Sequence, residues 1–162
     1  MVEEPSGIRA RRDVLWHPGS VVILAVDDAG GEPRVLLARQ FRYAAGRDLW
    51  ELPAGRKDKG EATLAAAKRE LLEETGYRAR RWQRVLFFYA SPGFLDETMA
   101  VYLARGLQAG AAQPEEDEKI VIRFFALSRA LRMVMSGALR DGKTIAAVLW
   151  LQEKLGRRRA RH

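Results

Sequence analysis

The chain has 162 residues, 48% of them hydrophobic and 30% charged, with a net charge of +7 and no cysteine. A length of this order makes one domain able to bury roughly 70% of its unfolded surface, and the lack of cysteine excludes a disulfide framework and a thiolate zinc site. No apolar run approaches the about 18 residues of a spanning helix, and the opening MVEEPSGIRARRD lacks a signal-peptide stretch, so a soluble, cytoplasmic chain without a membrane partner is expected.

In chain order, Ser20 to Val26 is a continuous apolar, β-branched run. Asp27 to Arg34, with two glycines and a proline, reads as a turn into Val35 to Arg42, making a hairpin. A short segment, Leu49 to Leu52, leads into Pro53-Ala54-Gly55. A helix is predicted over Ala62 to Thr75, with Glu61 placing negative charge at its first turn and Gly76 at its C′ position. Further strands are predicted at Arg84 to Ala90, Thr98 to Ala104 and Ile120 to Ala126. Ser128 reads as the N-cap of a helix stopping at Gly137, and Thr144 to Leu155 as an apolar helix closed by Gly156. Strands outnumber helices and do not alternate with them as βαβ units, which favours a mixed sheet with helices on both faces.

Residues 1–15 are expected to form an N-terminal arm, residues 16–156 a single domain and residues 157–162 a basic tail. Much of the positive charge is terminal, at Arg9, Arg11, Arg12, Arg157, Arg158, Arg159 and Arg161. Such ends read as solvated, and no nucleic-acid module accompanies them, so nucleic acid is not the expected partner.

The most informative stretch is GRKDKGEATLAAAKRELLEETGY, Gly55 to Tyr77. At 100° per residue from Leu64, Glu70, Glu74 and Glu73 project at about 240°, 280° and 180°, whereas Leu64, Ala67 and Leu71 lie at about 0°, 300° and 340°. One side is core and the other is a carboxylate cluster. Carboxylates at i, i+3 and i+4 repel one another by a few tenths of a kcal/mol per pair, so the cluster calls for a compensating cation. Mg²⁺ suits it, taking oxygen ligands and sharing its shell with substrate phosphates, which makes a phosphate ester the expected substrate. Arg69 and Glu73 are spaced for an orienting ion pair, and Glu61 reads as structural. Seven specified positions at fixed spacing would arise by chance about once in 10⁵ sequences.

The order Gly55, Glu61, Arg69-Glu70-Leu71, Glu73-Glu74, Gly76 and an apolar residue resembles the signature of the Nudix hydrolases. Tyr77 stands where that family usually has an aliphatic residue. The resemblance implies an α/β (α+β) fold, the Nudix-like α/β/α sandwich around a central mixed sheet. It also implies hydrolysis of a nucleoside diphosphate linked to another group. Mg²⁺ or Mn²⁺, two or three ions per site, would be held by Glu70 and Glu74, joined by the Ala54 carbonyl, with Glu73 bridging to a further ion. Arg69 and Glu73 are carried into the catalytic set on the same ground.

Beyond the motif, Pro92 lies sixteen positions after Gly76, in Ser91-Pro92-Gly93. With Arg39 to Tyr43, Glu51 to Gly55 and Gly142 to Ala146, this segment is similar to the ADP-ribose pyrophosphatase branch, from His17 to Leu155. Taken alone, Ser-Pro-Gly is a tight turn. The likeness implies that Pro92 and Gly93 belong to the substrate site and that the substrate is ADP-ribose, cleaved to AMP and ribose 5-phosphate. Arg42, a planar fork matched to phosphate oxygens, is the expected phosphate contact. Glu51 either accepts hydrogen bonds from the substrate or holds its loop. The acidic run Pro114 to Glu118 is similar to a loop bringing a catalytic glutamate to the attacking water: Glu116 matches that base and Glu118 a further metal contact. A homodimer is implied by the resemblance. Hydrolysis of another nucleotide sugar such as GDP-mannose, or a nucleotide-sensing or RNA-associated role on the same fold, are the alternatives.

Overall fold

The computed structural model describes residues 1–3, 5–110 and 120–159. Strands β1 (Val2–Glu3) and β2 (Arg9–Ala10) form a small antiparallel pair in the N-terminal arm. The main sheet is built from β3 (Ser20–Asp27), β4 (Arg34–Arg42), β5 (Arg47–Glu51), β6 (Ala54–Arg56), β7 (Tyr77–Tyr89), β8 (Thr98–Ala109) and β9 (Val121–Ala126). Helices α1 (Thr63–Thr75), α2 (Leu127–Met135) and α3 (Gly142–Arg159) complete the domain. Among the described residues no helix is long and apolar enough to cross a membrane.

The order β5-β4-β3-β8-β7, with β6 also on β3 and β9 also on β4, makes a mixed sheet, because β3 and β8 run parallel while the other pairs are antiparallel. β3 reads as an unbroken apolar run because it is covered on both faces. Val22, Leu24 and Val26 point to α2 and α3, packing with Ala130, Ala147, Val148 and Leu151; Val21, Ile23 and Ala25 point to the α1 side, packing with Ala66, Ala67 and Leu71. All six β3 side chains are fully buried, worth roughly 1.5–3 kcal/mol each for the larger ones before entropy is counted. The layers are α1, sheet, then α2 with α3, as the sequence implies.

One feature of the sheet positions the site. β3 and β4 share only two register pairs, Val26 with Val35 and Asp27 with Arg34, and then diverge. Into the opening runs the chain from β5, paired with β4 at Ala38 to Arg42, to β6, paired with β3 at Ser20 to Val22. Ile23 N–H donates to Pro53 O at 2.8 Å at the crossing. The expected hairpin is therefore a splayed pair, and the splay carries Glu51, Ala54 and Gly55 across the sheet.

Several boundaries differ from expectation for identifiable reasons. α1 starts at Thr63 after an extended Ala62, so Glu61 precedes the helix and is not in its first turn; Gly76, at φ 71°, does close it, donating to Leu72 O at 2.8 Å. Leu64, placed on the apolar face, is 36% exposed, since the buried stripe centres on Ala67 and Leu71. Ser128 is not an N-cap: α2 begins at Leu127, and Ser128 N–H donates to Glu32 Oε1 at 2.7 Å. α3 starts at Gly142 and continues past Gly156 to Arg159. β7 and β8 are longer than predicted because they extend one another, from Tyr89 with Thr98 back to Tyr77 with Ala109.

Candidate active site

α1 packs against β3, β6 and β7, and this brings Glu70 onto Gly55. A Cβ built on Gly55 would stand 2.1 Å from both Cδ and Oε1 of Glu70. Gly55 has no positive φ, so the position requires glycine for space and not for backbone conformation. Ala54, Gly55, Arg56, Asp58, Arg69, Glu70, Glu73 and Glu74 line one polar cleft of about 230 Å³. The sequence placed Ala54, Glu70, Glu73 and Glu74 in one site, and the fold does bring them together.

Arg69 organises this cleft. Its Nε and Nη2 donate to Glu61 at 3.2 and 3.1 Å, its Nη1 to Glu70 at 2.8 Å and Glu73 at 2.9 Å, and its Nη2 also to Arg56 O at 3.2 Å. These five bonds use every donor of the guanidinium. The expected pair with Glu73 is one of them, and the structural reading of Glu61 acquires a geometry: it receives two bonds from Arg69 and one from Asp58 N–H at 3.0 Å. The Glu61 hydrogen bonds raise the Arg69 pKa foremost, with Glu73 and Glu70 adding to them against desolvation. The same bonds from Arg69, then Asp58 N–H, hold Glu61 below its ordinary value.

Among the described residues no group of three or more His, Cys, Asp or Glu stands gathered around a metal position. Three of the carboxylates are instead turned to Arg69. The donor set nonetheless fits a hard divalent ion: its candidate donors are oxygens, the carboxylates of Glu70, Glu73 and Glu74 and the backbone of Ala54 lining one polar cleft, with Glu70 seated in the space Gly55 leaves open. Glu116 and Glu118 lie outside the described residues.

Arg42, at the end of β4, presents Nε and Nη2 to Glu51 Oε1 and Oε2 at 2.8 and 2.9 Å. Lys143 Nζ, on α3, donates to Glu51 Oε2 at 2.5 Å and to Asp141 Oδ1 at 2.8 Å. Asp141 Oδ2 in turn accepts from Thr144 N–H at 3.0 Å and Thr144 Oγ1 at 2.5 Å, and Thr144 Oγ1 accepts from Leu52 N–H at 2.8 Å. Glu51 is 4% exposed, and both of its oxygens accept hydrogen bonds from side chains of this chain, which is the geometry of a loop-holding carboxylate. Burial alone would raise its pKa, but the Arg42 hydrogen bonds and the Lys143 charge and hydrogen bond hold it below the ordinary value. Arg42 also feels the charges of Glu74 and Asp141, which ties this chain of ion pairs to the carboxylate helix.

Pro92 and Gly93 are exposed in the turn joining β7 to β8, where Ser91 O accepts from Phe94 N–H at 3.3 Å and Leu95 N–H at 3.0 Å. The turn is tied to the arm through Leu15 N–H to Phe94 O at 2.8 Å and Asp96 N–H to Leu15 O at 3.2 Å. Sequence reading missed Asp141, gave Lys143 no role beyond its place in the Gly142 to Ala146 likeness, and missed the group at the head of β3. There Ser20 Oγ donates to Glu97 Oε1 at 2.5 Å, and His17 Nδ1 accepts from Gly19 N–H at 3.1 Å. Ser20 is paired with Arg56, so Glu97 stands close to the Gly55 loop. In the sequence it stands only as a residue between the Ser91-Pro92-Gly93 turn and the strand predicted from Thr98.

The NUDIX domain family matches residues 16–148. An ADP-ribose pyrophosphatase of Bacillus subtilis (strain 168) is 41% identical over 155 residues, 94% of this chain and 82% of that one. A methanol dehydrogenase activator of Bacillus methanolicus is 36% identical over 153 residues, 93% of this chain and 81% of that one. A crystal structure of an ADP compounds hydrolase superposes with a TM-score of 0.78 at 20% identity, over 96% of this chain and 83% of that one, a likeness of fold. The family match takes in every strand of the mixed sheet and the whole of α1, so the sandwich and the carboxylate helix are shared together: the chain belongs to the Nudix family and is a Nudix pyrophosphohydrolase.

Proposed function

We propose that this pyrophosphohydrolase acts on ADP-ribose, releasing AMP and ribose 5-phosphate, with Mg²⁺ or Mn²⁺, two or three ions per site, as cofactor. The observation that carries the reading is the seating of the Glu70 carboxylate in the space over Gly55, beside Ala54 and in one cleft with Glu73 and Glu74. Glu70, Glu74 and the Ala54 carbonyl would hold the metal, Glu73 would share a further ion, and Glu118 would add to the set. The bound ion supplies positive charge against the phosphoryl oxygens and lowers the pKa of water.

The chain's own groups do the rest. Arg69 orients Glu61, Glu70 and Glu73 without a donor left over for substrate. Arg42 contacts a substrate phosphate while Glu51 fixes its guanidinium, and the Pro92-Gly93 turn borders the substrate. Glu116 is the general base that takes the proton of the attacking water. The identity to the Bacillus subtilis pyrophosphatase supports ADP-ribose over other nucleotide sugars. The exposed Ile8, Val14 and Leu15 of the arm and the adjoining Trp16 support a homodimer joined there, and the lack of cysteine supports a cytoplasmic setting.

A panel of ADP-ribose, GDP-mannose, ADP-glucose, NADH, FAD and 8-oxo-dGTP with Mg²⁺, read by phosphate-containing products, tests the substrate. ADP-ribose should be turned over fastest. A clear preference for GDP-mannose moves the substrate to that sugar, and rates on the triphosphate equal to those on ADP-ribose refute the assignment to nucleotide sugars.

A further inference from the structure

Glu51 is a buried anion shared by two cations, Arg42 and Lys143, and Lys143 is itself shared by two anions, Glu51 and Asp141. The four side chains come from β4, the end of β5, the segment before α3 and α3, and their charges sum to zero. The side chains of Lys143, Glu51 and Asp141 are 10%, 5% and 15% exposed, whereas that of Arg42 is 42% exposed, so the network opens to solvent mainly at its guanidinium end. There Nε and Nη2 are bound to Glu51 and Nη1 makes no hydrogen bond to the described residues. Glu74 lies close enough to act on Arg42 through its charge, as does Asp141.

Charge balance decides what Lys143 does. Without it, Glu51 and Asp141 carry two negative charges against one guanidinium in a poorly solvated setting, where each charge acts strongly on its neighbours. Arg42 would then be drawn inward and its field cancelled. With Lys143 present, Asp141 and Glu51 each accept from its ammonium, the four charges balance, and the half-exposed Arg42 keeps an Nη1 that makes no hydrogen bond to the described residues.

We propose that Lys143 is a positioning residue for substrate binding: by neutralising Glu51 and Asp141 it keeps Arg42 aimed at a substrate phosphate. This rests on the reading of Arg42 as a phosphate contact. Lys143 touches no substrate in this role and acts only through Arg42.

The test uses the full chain with ADP-ribose and Mg²⁺. Lys143→Met should raise KM about 10-fold while kcat changes less than about 3-fold, the signature of lost uniform binding. Arg42→Ala should raise KM at least as far, and Lys143→Met added to it should raise KM no further, because the lysine's effect passes through the arginine. Asp141→Asn added to Lys143→Met restores neutrality and should bring KM back toward wild type, and this pair also keeps the test sound where the single variant fails to fold. A merely structural lysine gives multiplicative effects with Arg42→Ala and no recovery from Asp141→Asn, and either result overturns the proposal. An unchanged KM in Arg42→Ala overturns the phosphate contact itself; a raised KM there with an unchanged KM in Lys143→Met overturns the positioning role alone.

Discussion

The Glu70 carboxylate occupies the space that a side chain on Gly55 would need, with 2.1 Å between Glu70 Cδ and a Cβ built on that glycine. Gly55→Ala therefore cannot keep both β6 and Glu70 in place. The atoms met all lie at the far end of the Glu70 side chain, so the carboxylate swings aside at little cost to the fold. Because Glu70 is the group that must move, kcat/KM should fall by about 10²-fold or more while the chain still folds, a ratio read by steady-state assay beside urea unfolding. Wild-type turnover in this variant would mean that the seat of Glu70 is irrelevant to the reaction.

Glu61, Glu70 and Glu73 share one guanidinium, with Glu74 on the same cleft wall, so the excess negative charge gives a divalent ion a reason to bind the folded state alone. Mg²⁺ at about 100 times its Kd should add about 2.7 kcal/mol of stability. Thermal unfolding with Mg²⁺ and with EDTA should show the difference, and Glu70→Gln or Glu74→Gln should remove most of it. An equal rise in Tm for the wild type and both variants would place the ion elsewhere.

How much of this was legible in the sequence follows from which interactions are local. Val21 to Val26 could be read as a strand because burial on both faces leaves an unbroken apolar run, and Gly76 could be read as a helix stop because it must adopt a left-handed backbone. The bond between Arg69 and Glu73 was fixed by helical spacing. Lys143 and Asp141 were not legible, since Lys143 meets Glu51 across 92 positions and no periodicity links them. Ser128 misled for a related reason: Glu32, 96 positions away, supplies the acceptor that its backbone N–H uses. The start of β7 was hidden by Arg78, Arg80 and Arg81, whose charges suit an edge strand but do not read as one.

Acid should release the Glu51 network in a defined direction. Its folded pKa lies below the unfolded value of 4.5, so its contribution to stability is complete above that value and is lost as pH falls through the lower, folded one. Glu51→Gln removes the contribution, leaving Arg42 without its carboxylate and Lys143 with Asp141 alone. The stability gap between wild type and variant should be widest near neutral pH and narrow steadily below pH 4.5, as measured by urea unfolding across pH. A gap that stays constant through this range would show that the carboxylate's charge is not what the network depends on.

Thr144 joins the network to the core through one hydroxyl that accepts from Leu52 N–H at 2.8 Å and donates to Asp141 at 2.5 Å. Both Thr144 and Leu52 are buried, so Thr144→Val keeps the shape and strands a backbone N–H without an acceptor. Leaving such a group unsatisfied costs about 1–3 kcal/mol, whereas a net hydrogen bond at the surface would cost far less. The urea midpoint should fall with an unchanged m-value, because the loss is local and the surface exposed on unfolding is the same. Thr144→Ser retains the hydroxyl and gives up one buried methyl, so it should recover most of the difference. If Thr144→Val is as stable as wild type, the Leu52 amide has found another acceptor, and the hydroxyl is not what fastens α3 to the Glu51 loop.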